Sequence, residues 1–377
     1  MKIVIDARLY GLENAGLGRY VINLVKELSK IDKENNYVIF LRKKYFNELE
    51  LPDNWKKVLT DFRHYGFLEQ ALLPLYIYKE KPNIVHFPHF NVPLFYFGNY
   101  IVTIHDLLMH SFKGIEVTTR NRCFYLLKRF GYKIVFWAAV KLSKKILVPS
   151  NVVKKELIDY YKVHSNKVEV THEGLDEEFI DSKLLDEELL NELNIKKPYL
   201  IYVGNAYPHK NLDKAIDAVK DFNNDEKKNL TFLIISSRNV FVQRLKEKVV
   251  KTNSSSFVKI LGFITDNKLG IIYKNSLAFI YPSLSEGFGL QGLEAISSGT
   301  LVLASNIPVF KEIYDGHVLY FDPASVDSIK NSIKEAFNID AEKRKQIIKE
   351  GKSFIKRYSW DKMARETLTE YENCTRL

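Results

Sequence analysis

The sequence predicts an α/β protein with two doubly wound domains, each a parallel sheet covered by helices on both faces. Short, apolar, β-branched runs alternate along the chain with segments that are apolar at helical spacing, such as residues 20–28. Continuous apolar strands are typical of parallel sheets in which both faces are buried. The runs fall into two series, and a chain of 377 residues is long enough for two cores.

The order of the elements gives the domain boundaries. The first series predicts strands at residues 3–5, 37–41, 84–87, 101–104, 146–148 and 168–170. The second predicts strands at residues 199–203, 231–236, 257–260, 278–281, 301–304 and 317–320. Residues 176–197 are acid-rich and Pro198 opens the second series, so residues 173–198 contain the predicted linker. We therefore place the domains at residues 1–178 and 179–357, with ligands expected at the carboxyl ends of the strands.

The composition indicates a globular protein of the cytoplasm. Hydrophobic residues make up 46% of the chain and charged residues 27%, which excludes a disordered or collagen-like chain. Cys123 and Cys374 have no metal-ligand spacing, so we expect two reduced thiols. The first strand follows Met1 and Lys2 directly, and no apolar run is long enough to span a bilayer. We expect a cytoplasmic chain, with the inner face of the cell membrane as a possible site of peripheral attachment.

The net charge of +10 is concentrated in residues 113–145, where nine basic residues face one acid. Aromatic residues, among them Phe136 and Trp137, lie between the cations. Such a segment suits nucleic acid or an anionic membrane. No nucleic-acid motif accompanies it, so the membrane is the better partner of the two. The alternative is a core helix with a solvated cationic face.

One stretch near the C-terminal end carries the strongest functional signal. Glu286 meets the loop Gly287-Phe288-Gly289, and an amphipathic segment with Leu290 and Glu294 follows. Two glutamates eight positions apart would lie about two turns apart on one face of a helix. Glycines let backbone N–H groups approach a ligand, and a helix N-terminus attracts phosphate. The pattern suits a nucleotide sugar; the alternative is a plain strand–turn–helix with solvated acids.

A second glycine loop follows the first predicted strand. Gly16 and Gly18 form a Gly-x-Gly turn that opens a helix and can hold phosphate. Val21 stands where the dinucleotide-binding fingerprint requires a third glycine, and no ribose-binding acid follows at the right distance. A nicotinamide-dependent enzyme is therefore disfavoured. A plain strand–helix turn remains the alternative.

Histidine and lysine side chains follow three other predicted strands. His105 comes directly after residues 101–104 beside Asp106, and His86 and His89 lie at the end of residues 84–87. We expect His105 to take part in chemistry, and His86 and His89 are candidates for the acceptor side.

After residues 199–203, Lys210 lies at a predicted helix start, where it could neutralise a departing diphosphate. Asn205 and His209 precede it. The chain has no Asp-x-Asp pair and no cluster of His and Cys, so a metal-independent enzyme with no cofactor is expected.

Residues 281–308 and 199–212 resemble the signatures of retaining glycosyltransferases of family 4. In that family a serine-led EGFGL loop precedes the second glutamate and a Gly-x-Pro-Val turn, and a lysine binds phosphate. This chain departs from the pattern at Gln291, where proline is usual, and at Asn205, where many members have arginine. The resemblance implies a GT-B fold: two Rossmann-like domains facing a central cleft, with the helix at residues 358–377 packing back on the first domain.

The resemblance also implies a role for each candidate residue. Lys210 and backbone amides near Gly16, Gly18, Phe288 and Gly289 would hold the diphosphate. Glu286 would hold sugar hydroxyls, Glu294 the ribose and His105 the far edge of the sugar. The predicted catalytic residues are thus His105, Lys210 and Glu286; the predicted donor-binding residues are Gly16, Gly18, Asn205, His209, Lys210, Phe288, Gly289, Leu290 and Glu294.

By the same resemblance, the expected reaction is transfer of a hexose with retention to a hydroxyl of a glycan or lipid-linked acceptor. The sequence forms near His105 and Lys210 resemble those of mannosyltransferases of surface-polysaccharide pathways. GDP-mannose is the first candidate donor and a UDP-sugar the second, and a polyprenyl-linked acceptor would suit residues 113–145. Two other classes remain open: a nucleotide-sugar 2-epimerase on the same fold, and a catalytically silent glycan-binding protein.

Overall fold

A computed structural model describes residues 1–111, 122–175, 186–236 and 240–375. The described chain forms two compact units. The first comprises residues 1–107, 122–174 and 358–375; the second comprises residues 186–236 and 240–357, with residues 108–111 and Leu175. Apart from residues 108–111, the chain passes to the second unit after Gly174, where the sequence predicted a boundary at 178, and it returns to the first unit at Tyr358.

The first unit is built on a seven-stranded parallel sheet. Its strands are β1 (Lys2–Ile5), β2 (Asn36–Leu41), β3 (Trp55–Leu59), β4 (Ile84–Phe87), β5 (Tyr100–Thr103), β6 (Lys145–Val148) and β7 (Val168–Val170). Their order is β3-β2-β1-β4-β5-β6-β7, and every pairing is parallel. The order reverses between β1 and β4, which creates a switch point at the carboxyl ends of these two strands.

Helices cover both faces of this sheet. They are α1 (Ala15–Ile31), α2 (Lys43–Phe46), α3 (Phe67–Glu80), α5 (Arg122–Leu142) and α6 (Asn151–Tyr161), and the short α4 (Leu108–Ser111) lies with the second unit. α1 is amphipathic and buries Tyr20, Leu24 and Leu28. α3, α5 and α6 share one hydrophobic core, because Leu73, Phe136 and Leu157 belong to the same cluster of buried residues.

The second unit is built on a six-stranded parallel sheet. Its strands are β8 (Tyr199–Val203), β9 (Thr231–Ile235), β10 (Val258–Leu261), β11 (Ala278–Tyr281), β12 (Val302–Ser305) and β13 (Leu319–Phe321), in the order β10-β9-β8-β11-β12-β13. Its helices are α7 (Asp186–Glu192), α8 (Leu212–Glu226), α9 (Val240–Lys251), α10 (Asp266–Lys274), α11 (Leu290–Ser297), α12 (Pro308–Tyr314), α13 (Val326–Asn338) and α14 (Ala341–Phe354). Here the order reverses between β8 and β11.

The last helix, α15 (Trp360–Thr375), belongs to the first unit. It packs against α1, and Glu370 forms a salt bridge of 2.9 Å with Lys145. Gly174 allows a close approach to it, since a Cβ there would lie 2.1 Å from the backbone nitrogen of Trp360. The helix is therefore part of this unit's core.

One strand was not predicted. β3 contains Lys56 and Lys57, which interrupt the apolar run that marks the other strands. The lysines are accommodated because β3 is an edge strand and pairs with β2 alone.

Candidate active site

Lys210 and Glu286 meet at the switch point of the second sheet. Lys210 ends a 3₁₀ turn (Pro208–Lys210) after β8, and Glu286 lies in the loop after the neighbouring strand β11. The Nζ atom of Lys210 donates to Oε1 of Glu286 over 2.5 Å, and their side chains are 14% and 10% exposed. The structure thus brings two predicted catalytic residues together. They meet at the edge of the sheet where a doubly wound fold is expected to bind its ligand.

Backbone contacts hold the two loops together. The N–H group of Leu284 donates to the carbonyl oxygen of His209 over 2.8 Å. The side chain of Asn211 donates to the carbonyl oxygens of Pro282 and Pro323, at 3.1 and 2.9 Å. The loops after β8, β11 and β13 are thus joined at one edge, which fixes the position of Lys210 relative to Glu286.

The glycine loop ends at the N-terminus of α11. Gly289 has a φ of 107°, a conformation that side chains rarely adopt, and the hydroxyl of Tyr314 donates to its carbonyl oxygen over 2.6 Å. A Cβ on Gly289 would lie 2.5 Å from that hydroxyl. Leu290 is the first residue of α11, and no side chain caps the helix. The positive end of the α11 dipole therefore lies beside Phe288 and Gly289.

The spacing argument for the two glutamates was wrong in one respect. α11 begins at Leu290, so Glu286 precedes the helix and only Glu294 lies on it. Glu294 is buried, which excludes the solvated helix face considered as the alternative.

His209 and Asn205 lie at the same edge. Burial, and then the charge of Lys210, lower the pKa of His209 to about 4, although Glu286 partly offsets this. The imidazole is therefore neutral at pH 7. The backbone carbonyl of Asn205 accepts a hydrogen bond of 2.7 Å from the hydroxyl of Tyr202.

His105 lies in the first unit, after β5, and a carboxylate orients it. Its Nδ1 is 3.1 Å from Oε1 of Glu173, and its Nε2 is 3.0 Å from the carbonyl oxygen of Pro88. Burial opposes the charged form, but the hydrogen bond and charge of Glu173 outweigh it and raise the pKa of His105. Tyr20 packs edge-on against the ring at 4.7 Å.

The two glycines of the first loop have different surroundings. Gly18 is buried on α1, and a Cβ there would lie 1.9 Å from the carbonyl oxygen of Gly11. Packing alone thus requires Gly18. Gly16 is exposed and has no atom within 4 Å of a Cβ position. The backbone of Gly16 therefore has the open space that a closely approaching ligand would need.

His86 was wrongly considered for the acceptor side. It is fully buried within β4, with Nδ1 2.6 Å from the hydroxyl of Tyr371 on α15 and Nε2 2.8 Å from Oγ1 of Thr103. It therefore joins the sheet to α15. His89 lies after β4 and is half-buried.

Sequence reasoning missed three polar residues at these edges. Glu173, which orients His105, was placed in the linker although it follows β7. Ser236 and Ser283 follow β9 and β11, and within the described chain their buried hydroxyls have no hydrogen-bond partner. Their position directly after apolar strands could have identified them as candidates from the sequence.

The basic segment at residues 113–145 lies partly outside the described residues, as do the side chains of Cys123, Arg122 and Lys128. On the described part of α5, Trp137 is 51% exposed, whereas Phe136 is fully buried. Within the ranges given above, no helix combines the length and the apolar character needed to cross a bilayer. Nor do those residues contain three His, Cys, Asp or Glu side chains grouped as metal ligands. Cys374 has a free thiol.

Two parallel-sheet units, one with the cation of Lys210, the carboxylate of Glu286 and a helix N-terminus at its switch point, agree with the GT-B fold that the resemblance implies. The family model "Glycosyltransferase Family 4" matches residues 15–179, and "Glycosyl transferases group 1" matches residues 186–354. The chain therefore belongs to the GT-B glycosyltransferases, with a family 4 domain followed by a group 1 domain.

Known proteins support this assignment over most of the chain. The O-antigen chain mannosyltransferase RfbU of Salmonella typhimurium is 29% identical over 73% of this chain and 69% of its own length. The O-antigen chain mannosyltransferase B of Escherichia coli is 23% identical over 99% of this chain and 100% of its own. The crystal structure of Anabaena HepE in complex with UDP and glucose has a TM-score of 0.76 at 15% identity, covering 99% of this chain and 100% of that one. The structural likeness supports the fold.

Proposed function

We propose that this glycosyltransferase moves a hexose, with retention and without a metal ion, from a nucleotide-diphosphate sugar to a hydroxyl of a glycan or lipid-linked acceptor. The observation that carries the proposal is the contact between Lys210 and Glu286, 2.5 Å apart beside the N-terminus of α11. A cation and a helix dipole suit the diphosphate, and a carboxylate suits sugar hydroxyls.

The chemistry asked of the protein is positioning and stabilisation of charge. As the bond between the sugar and the diphosphate breaks, negative charge grows on the departing phosphate and positive charge on the sugar ring. Lys210 and the amides beside Phe288 and Gly289 would stabilise the first charge. Glu286, near the ring, would orient its hydroxyls. The acceptor hydroxyl would attack from the face that the phosphate leaves and pass its proton to that phosphate.

GDP-mannose is the proposed donor, with UDP-sugars second. Two relatives named O-antigen chain mannosyltransferases support mannose. The buried carboxyl of Glu294, on the helix that follows the glycine loop, is the proposed ribose contact. Ser236 and Ser283 offer further hydroxyls at the same sheet edge.

A thermal-shift screen with GDP, UDP, ADP and dTDP tests the donor assignment. A nucleotide at about 100 times its Kd stabilises the folded chain by roughly 2.7 kcal/mol. For a unit of this size that raises Tm by roughly 5–10 °C. We expect GDP to give the largest shift; shifts from none of the four would contradict the proposal.

A transfer assay distinguishes the reaction classes. We expect sugar transfer that persists in excess EDTA, and an anomeric configuration in the product equal to that of the donor. Activity lost in EDTA and restored by Mg²⁺ or Mn²⁺ would contradict the metal-independent mechanism. Conversion of the donor sugar to its 2-epimer without acceptor would indicate the epimerase, and sugar binding without turnover would indicate a silent glycan-binding protein.

We further propose that one face of the first unit rests on an anionic membrane. Phe130, Ile134 and Trp137 are exposed at helical spacing on α5, which also exposes the cations Lys133 and Lys141. α3, which packs on the same core, exposes further apolar side chains: Phe67, Leu68 and Leu75. Exposed apolar groups mixed with cations suit the interface of an anionic bilayer.

Sedimentation with vesicles tests this surface. We expect binding to vesicles that contain phosphatidylglycerol, little binding to pure phosphatidylcholine, and release at about 0.5 M salt. Trp137→Ala should weaken binding, while Tyr160→Ala, at an exposed aromatic residue on α6, should not. Equal binding to neutral vesicles, or no binding to anionic ones, would leave α5 as a core helix with a solvated cationic face.

A further inference from the structure

The switch point of the first sheet carries a polar cluster around His89, the remaining histidine candidate for the acceptor side. Asp6 and Arg8 follow β1, and His89 and Asn91 follow the neighbouring strand β4. Tyr65 lies in the turn that leads into α3. Ligands of doubly wound sheets bind at this position, where the strand order reverses.

A buried network of charges supports the cluster. Arg8 donates through Nε to Oδ1 and through Nη2 to Oδ2 of Asp6, both over 2.7 Å, and through Nη2 to Oε1 of Glu69 over 2.6 Å. Burial favours the neutral acids, but Arg8 helps to keep the pKa of both Asp6 and Glu69 below their ordinary values. The three groups are therefore charged, and their hydrogen bonds join the end of β1 to α3.

Glu69 uses its second oxygen to hold the turn. Oε2 of Glu69 accepts from the backbone N–H of Tyr65 and from the side chain of Asn91, each over 2.7 Å. Oε1 also lies 3.2 Å from Nδ1 of His64. The turn at residues 64–66 is thus tied to the ends of β1 and β4 by a single buried carboxylate.

The backbone of Tyr65 is strained. Its φ is 62°, and no other aromatic residue in the described parts of the chain has a positive φ. Several of the other non-glycine residues with positive φ, such as Lys81, Lys162 and Lys227, end helices, where this conformation is common. A bulky residue in the left-handed region is costly and is found where the surrounding structure enforces it.

The ring of Tyr65 lies on the surface. The side chain of Tyr65 is 54% exposed, and its hydroxyl lies 3.4 Å from Nδ1 of His89. The two rings meet edge to face at 5.9 Å, and Phe90 packs on His89 at 4.1 Å. An exposed aromatic face beside an imidazole offers apolar area to the C–H face of a pyranose and a hydrogen bond to one of its hydroxyls.

The cluster also lies next to the predicted catalytic histidine. Nε2 of His105 is 3.0 Å from the carbonyl oxygen of Pro88, the residue before His89. A sugar on Tyr65 would therefore lie close to the group expected to face the transferred hexose.

We propose that Tyr65 and His89 form the subsite for the terminal sugar of the acceptor, which stacks on the Tyr65 ring and hydrogen-bonds to the imidazole of His89. The buried Asp6, Arg8 and Glu69 position these two side chains. The subsite rests on the proposed transfer function, because it assigns the acceptor side of that reaction.

The test separates acceptor binding from donor chemistry. The probe is an α-linked mannobiose with a fluorescent aglycone, and the donor is GDP-mannose. Release of GDP without the probe measures the donor site alone. Saturation-transfer NMR with mannobiose measures sugar binding without turnover. A wild-type chain that neither binds GDP nor releases it from GDP-mannose contradicts the proposed function. If only the subsite proposal is wrong, GDP release is normal and only transfer to mannobiose, or its binding, disagrees with the expectation.

Tyr65→Gly is the informative variant, because glycine adopts a φ of 62° without strain. We expect its Tm to be unchanged or up to about 3 °C higher. GDP release should be within twofold of wild type, and kcat/KM for the probe should fall at least about fivefold through KM. Tyr65→Phe should stay within about threefold of wild type. Tyr160→Ala, at a tyrosine that is 58% exposed on α6, is the matched control and should leave all values unchanged.

Three results would overturn the subsite. The first is an unchanged kcat/KM for the probe in Tyr65→Gly. The second is an equal loss of GDP release and transfer, which would place Tyr65 at the donor site. The third is a wild-type chain that releases GDP but neither uses nor binds mannobiose.

Discussion

The salt bridge between Lys210 and Glu286 gives the sharpest test of the candidate active site. In Lys210→Ala the cation expected to stabilise the departing diphosphate is removed. The loss of one such group costs about 2.7–4 kcal/mol in the transition state, so turnover should fall by roughly 10²–10³. The measurement is kcat for sugar transfer at saturating donor.

Lys210→Ala should also lower the stability of the fold, and this effect must be separated from the loss of turnover. Glu286 is only 10% exposed and would lose its cation. Breaking a fully buried pair costs about 3–5 kcal/mol, so we expect about 2–3 kcal/mol here, or a decrease in Tm of roughly 4–12 °C. Lys248→Ala is the control, since its pair with Asp213 is exposed and contributes at most about 1 kcal/mol.

A double variant tests whether the activity lost in Lys210→Ala is only a consequence of lost stability. Lys210→Met with Glu286→Gln removes both charges, so the unpaired carboxylate disappears and much of the lost stability should return. If Lys210 stabilises the diphosphate, turnover should stay low when Tm recovers. Full activity in Lys210→Ala, or activity that returns with stability in the double variant, would refute the assignment.

Three further predictions concern single residues. Glu294→Ala should mainly weaken nucleotide binding and shrink the thermal shift with GDP, since ribose contacts are similar in ground and transition states; an unchanged shift would remove Glu294 from the site. Because the pKa of His105 is raised in the folded state, its pairing with Glu173 stabilises the fold fully below about pH 6.5 and less as pH rises through the raised pKa. Glu173→Gln should abolish that slope in chemical denaturation and lower the pKa of His105 followed by NMR, and an unchanged titration would contradict the pairing. Gly18→Ala should lower stability by about 1–3 kcal/mol or more, since a Cβ there meets a backbone oxygen at 1.9 Å, whereas Gly16→Ala should fold normally; equal Tm values for the two variants would disprove the packing argument.

The fold could be predicted because its signal is local. Both sheets are parallel and buried on both faces, so nearly every strand is a continuous apolar run that the sequence shows directly. β3 was not predicted, because an edge strand tolerates lysines that interrupt the apolar run. Whether a strand lies at an edge depends on the assembled sheet and is not visible in the sequence. Strand order, and with it the two switch points, is likewise decided by pairings between distant residues.

Only those residues of the candidate site that lie in a recognisable sequence motif could be predicted. Lys210, Glu286 and Glu294 lie in patterns with recognisable spacing, but the direct contact of Lys210 with Glu286 joins residues 76 positions apart. Glu173 was missed because its partner His105 is 68 positions away. Tyr65 could not be identified from the sequence, because Glu69, which accepts from its backbone N–H, makes its other contacts with distant residues such as Arg8 and Asn91.

His86 shows why a residue after or within a strand cannot be assigned from sequence alone. Its position in β4 suggested the acceptor side, yet Tyr371 on α15 occupies its Nδ1. The partner lies 285 positions away, at the far end of the chain.

The return of α15 to the first unit has a consequence for how the chain is made. The ribosome completes the strands of the first sheet by residue 170 but releases Tyr371, the partner of buried His86, about 200 residues later. At 5–20 residues per second this delay is roughly 10–40 s. During that interval Nδ1 of His86 lacks Tyr371, although Thr103 is already available to Nε2, and the second unit is synthesised whole in the meantime. The first unit is therefore synthesised before the second but finished after it, so removal of α15 should affect the first sheet before the second.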